Sequence, residues 1–149
     1  MTELFGTQLR RRLSAGMLCC ALLLAGSAMA QESFRARLSP MPTTPQTKDT
    51  ITGGGEAIAT LAGKVLSFSG DFAGMSSTAT MAHVHQGPPA QPGPVVAALV
   101  VAEETAGSLS GSIELNDEQL AALRRHSLYV QIHSASNPAG ELRGWLFAR

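Results

Sequence analysis

From residue 33 onward the chain alternates apolar and polar positions in short runs, the period-two pattern of half-buried strands rather than the longer repeat of helices. Ser33–Leu38 alternates in this way, and Glu56–Leu61 and Val65–Phe72 form a hairpin pair around Ala62-Gly63-Lys64, with Leu66, Phe68 and Phe72 on one parity. Thr78–His85, Val95–Val101, Ser108–Leu115, Leu128–His133 and Leu142–Phe147 complete eight predicted strands. The segments between them carry residues that interrupt regular structure. Pro40, Pro42, Pro45 and Gly53-Gly54-Gly55 predict a mobile surface loop over 39–55, and the prolines of Gly87–Pro94 a stiff connection. Asn137-Pro138-Ala139-Gly140 fits a type I turn. One helix breaks the pattern: Asn116 caps Asp117–Arg125, Gln119 stands at the capping-box position, and acids then bases follow the helix dipole. Eight short strands, one short helix and Gly/Pro-rich turns predict an all-β fold, a Greek-key β-sandwich or flattened barrel.

The first thirty residues do not belong to that pattern. Arg10-Arg11-Arg12, the apolar run Leu13–Leu24 and the small-residue site Ala28-Met29-Ala30 read as a secretory signal peptide, with Gln31 opening the mature domain over 31–149. The run is too short for a comfortable membrane span, and no later stretch approaches the ~20 apolar residues that a span needs. The expected destination is the periplasm or the exterior of the cell. Both cysteines, Cys19 and Cys20, fall in the leader outside any lipobox, so the mature domain has neither disulfide nor thiolate ligand. Removing three arginines and one glutamate with the leader leaves eight basic and ten acidic residues, a balance that argues against a nucleic-acid partner.

The candidate chemistry lies in Met81-Ala82-His83-Val84-His85-Gln86-Gly87 and Tyr129-Val130-Gln131-Ile132-His133. Strand parity puts His83 and His85 on one side and His133 on the polar side of its own strand. If the two strands are neighbours, three imidazoles converge on one polar surface, a set suited to Cu(II), Cu(I) or Zn(II), with affinity favouring copper over zinc. Gln86, Tyr129 and Glu141 are candidates to orient the ligands or supply a fourth. A simpler reading makes Glu141 and Arg143 an exposed ion pair. Met41, Met75 and Met81 lack the clustering of a soft-metal motif, and Gly53-Gly54-Gly55 lacks the Lys-Ser/Thr of a phosphate loop. No Ser-His-Asp order points to a hydrolase.

The ordered blocks His83-Val84-His85-Gln86-Gly87, Gly93-Pro94-Val95-Val96, Asn116-Asp117-Glu118-Gln119-Leu120, Leu128-Tyr129-Val130 to His133-Ser134, and Asn137-Pro138-Ala139-Gly140-Glu141-Leu142-Arg143-Gly144 resemble the CHRD domain over about residues 33–147. The chain departs from that family at its N-terminal block, where Ser39-Pro40-Met41-Pro42 and a polar insertion stand. The resemblance implies a β-sandwich and leaves activity open. A more distant similarity is to copper/zinc superoxide dismutases: in that comparison His83, His85 and His133 match copper ligands, and Arg143 matches the arginine that guides an anion. There is no histidine to bridge to a zinc, no zinc-ligand cluster and no clamping cysteine pair. The expectation is an exported copper-binding protein in metal handling or redox protection. The alternatives are a metal-free adhesion or protein-binding module and, third, a dismutase-like enzyme using Arg143.

Overall fold

A computed structural model describes residues 31–149, and the expected signal peptide lies outside the described residues. The strands are β1 (Glu32–Pro40), β2 (Gly54–Ala62), β3 (Val65–Ala73), β4 (Ala79–Gln86), β5 (Val95–Val101), β6 (Gly107–Glu114), β7 (Leu128–Ser134), β8 (Leu142–Trp145) and β9 (Phe147–Ala148), with helix α1 (Asp117–Arg124) between β6 and β7. All pairings are antiparallel, and the order β1-β2-β3-β6-β5-β4-β7-β8 returns to β1. The all-β Greek-key expectation therefore holds, in the form of a closed, flattened barrel.

Two strands make its corners by changing partners partway along. β1 pairs with β2 from Glu32 to Leu38 and then with β8 at Ser39 and Pro40. β5 pairs with β4 from Val95 to Leu99 and with β6 only at Val100 and Val101. This is how two packed sheets join at their edges. The β3–β4 and β6–β7 connections each pass two intervening strands, and the second of these crossings brings β7 beside β4.

The core follows the alternation. Phe34, Ala36 and Leu38 of β1 face Ala57, Ala59 and Leu61 of β2, Leu66, Phe68 and Phe72 of β3, and Val130 and Ile132 of β7 across a single buried cluster. The helix begins as its cap predicts: Asn116 accepts from the Gln119 amide, and the Gln119 side chain accepts from the Asn116 amide. Such reciprocal capping satisfies two donors that a helix start otherwise leaves bare. The last predicted strand is divided at Leu146, which is fully buried and whose amide makes the last bond to β7 at Leu128 O, after which β9 pairs with β1 alone. The 39–55 segment, read from sequence as a mobile loop, is fastened near both ends: Met41 N donates to Glu141 O, and Thr52 N to Glu141 Oε1. Among the described residues no helix is long and apolar enough to cross a membrane.

Candidate metal centre

Ala82 and Val84 of β4 and Leu128, Val130 and Ile132 of β7 point into the core, so the opposite parity of both strands points out of the barrel wall. That outer face carries His83 and His85 on β4, Tyr129, Gln131 and His133 on β7, and Arg143 and Trp145 on β8. Register sets the rows: His83 is opposite Gln131, which is opposite Arg143, and His85 is opposite Tyr129, which is opposite Trp145. His133, opposite Met81, then lies diagonal to His83. A bulge between Val84 and His85 on the β5 side adds Val96 to the ladder and leaves the two histidines side by side.

One ligand nitrogen from each of His83, His85 and His133 lies within 4.8 Å of the others. His83 Nδ1 is 3.1 Å from His133 Nε2, and the His83 ring is edge-on to both other imidazoles. Backbone carbonyls orient two of the rings. His85 Nδ1 donates to Gly93 O at 3.0 Å, and His133 Nδ1 donates to Pro138 O at 2.9 Å. Each bond places the proton on Nδ1 and leaves Nε2 with a lone pair. His85 Nε2 is buried without a hydrogen-bond partner among the described residues.

Although the histidines leave the core side of the sheet, this is not the open polar surface that alternation implied. His85 and His133 are each only 8% exposed, because the 87–94 and 137–141 connections fold over β7 and bury all seven of its residues. The cover is polar and fully engaged. Gly93 N donates to the Tyr129 hydroxyl, the Trp145 indole donates to Gly87 O, and the Tyr129 ring stacks on His85 at 4.8 Å. Burial is the main cause holding His83 and His85 below the ordinary histidine pKa. Neighbouring His133 and His85 add to it at His83; at His85 the Gly93 carbonyl opposes it, while His133 and Arg143 reinforce it. Both shifts favour the neutral ring, the form that binds a metal. A shallow opening bounded by Thr80, Met81, Val100 and Glu103 reaches His83, the least buried of the three.

The remaining candidates divide. Tyr129 belongs to the site through its stack on His85. Gln86 does not: it faces away and donates to Glu118. Glu141 is neither an orienting group nor the exposed partner of Arg143. It is fully buried and accepts from Thr52 N, Ser76 N, Ser134 Oγ and Asn137 Nδ2. Arg143 shares the histidine face, donates from Nε to Gln131 Oε1 at 2.8 Å, and lies over the Tyr129 and Trp145 rings. The sequence reading missed Gln131, which bridges Arg143 to the histidines: its amide donates to Ala139 O and lies 3.5 Å from His133 Nε2. Its parity with Tyr129 and His133 was the available signal.

No curated protein matches the chain, and no solved structure does. A family model does match, that of the CHRD domain, over residues 34–146. That span runs from inside β1 to the residue after β8 and includes α1 and all three clustered histidines, so the chain belongs to the CHRD domain family.

Proposed function

We propose that this CHRD domain is an exported metal-binding protein in which His83 Nδ1, His85 Nε2 and His133 Nε2 hold one transition-metal ion, copper in preference to zinc, for metal handling or redox protection. The observation that carries this reading is the bare Nε2 of His85, clustered within 4.8 Å with His133 Nε2 and a ring nitrogen of His83, whose Nδ1–H donates to His133 Nε2 and gives up that proton when a metal binds. A buried nitrogen without a partner is costly, and a ligand bond removes that cost. The carbonyl-fixed tautomers of His85 and His133 are the arrangement that supports imidazole ligation. Three neutral nitrogen donors without thiolate suit Cu(II), Cu(I) and Zn(II), and copper ranks above zinc in intrinsic affinity. Two bonds of about 2.0–2.1 Å hold their nitrogens no more than about 4 Å apart, so the trio must draw in from its 4.8 Å spread when an ion binds.

Titration of purified protein with Cu(II), Cu(I) and Zn(II) tests the proposal. One equivalent binds tightly, copper displaces zinc, and His83→Ala and His133→Ala each lose the stoichiometric site. Absence of stoichiometric binding, or its survival in both variants, overturns the reading and returns the chain to that of an adhesion or protein-binding module.

A further inference from the structure

On the far side of Arg143 from the histidines, a cleft of about 400 Å³ opens between the end of β1, the strand pair β8–β9 and the tip of the 87–94 connection. Its walls are largely apolar, formed by Pro40, Met41, Trp145 and Phe147, and Arg37 and Arg143 also line it. Among the described residues neither arginine pairs with a carboxylate, whereas Arg35 and Arg124 bind Glu56 and Glu32. The acid nearest Arg143 in sequence, Glu141, is committed elsewhere through four hydrogen bonds. Arg143 itself is held in place: Nε is fixed by Gln131, and its guanidinium carbon lies 5.1 Å and 5.7 Å from the Tyr129 and Trp145 ring centres. Its two terminal nitrogens remain for a ligand. A fixed guanidinium fork matches a carboxylate in two-point contact, and a concave apolar wall of this size accommodates a single ring or short branched chain.

We infer that this cleft is a binding site for a small aryl carboxylate, with the carboxylate on Arg143 and Arg37 and the ring against Trp145, Phe147 and Met41. The argument rests on charge and shape together: an apolar body without an anion leaves both cations uncompensated, and an anion without a body leaves the apolar walls in water. The site requires no metal and does not depend on the histidine cluster.

Trp145 is the chain's single tryptophan and lines the cleft, so its emission reports occupancy. Titration with 3-phenylpropionate in the presence of a chelator is expected to give a saturable emission change with a dissociation constant on the order of 0.1–1 mM. The neutral 3-phenylpropanamide and the ring-less acetate bind at least about tenfold more weakly. Arg37→Gln, an exposed substitution, weakens the carboxylate about tenfold while leaving the amide unchanged, and Arg143→Gln removes the preference for charge. Equal binding of acid and amide overturns the inference, as does a carboxylate titration unaltered in both variants or one that never saturates.

Discussion

Glu141 lies two positions from Arg143, yet it serves the connections instead of the site. Burial pushes its carboxyl upward, but hydrogen bonds from Ser134, Ser76, Thr52 and Asn137 outweigh this and hold it below the ordinary carboxylate range. Glu141→Ala leaves those donors without their acceptor and is expected to cost about 3–5 kcal/mol in urea denaturation. The sign of its pH dependence follows. Because the folded pKa is depressed, the contribution is complete above the unfolded value of about 4.3 and declines as pH falls through the folded value. The urea midpoint should therefore drop below about pH 4 in the native chain, and that acid limb should flatten in Glu141→Gln. At this scale the sequence displayed the three imidazoles but not their supports. Gly93 O and Pro138 O are backbone atoms and leave no mark on residue identity, and Gln131 is one polar residue among several on its strand.

The strands were legible because their inward positions alternate, and α1 because its cap is local: Asn116 and Gln119 are three residues apart. Asn116→Ala removes the side-chain oxygen that accepts from the Gln119 amide and is expected to cost about 1 kcal/mol, lowering Tm by about 4 °C in calorimetry. Alternation says nothing of what covers the outward side of a strand, which is why β7 is buried on both faces where one was expected. The turn after β7 contributes to that cover. Gly140 has φ +122°, and a Cβ there would come within 2.6 Å of Gln131 Nε2 and of Met41 Sδ. Gly140→Ala is thus expected to shift Gln131 and the turn bearing Pro138 O, lowering metal affinity about 10–100-fold in a competition titration. The division of β8 from β9 was also hidden, since it depends on where the pairing with β7 ends at Leu128 and the chain passes on to β1.

For the molecule as a whole, fold class could be read from composition and strand count, whereas the pairing of β4 with β7 joins residues about 50 positions apart and is decided by barrel closure. Binding to the closed form alone raises stability by mass action, about 2.7 kcal/mol when free metal is at 100 times its dissociation constant. Thermal unfolding with copper should show that rise, chelation should reverse it, and His133→Ala should abolish it. The Greek-key crossing has a temporal consequence. An extended polypeptide presents only the His83–His85 couple, a weak two-nitrogen chelate, and acquires its third donor when β7 docks. If the three histidines hold an ion as proposed, its capture follows completion of the barrel, and a chain halted before docking would hold metal loosely enough to surrender it.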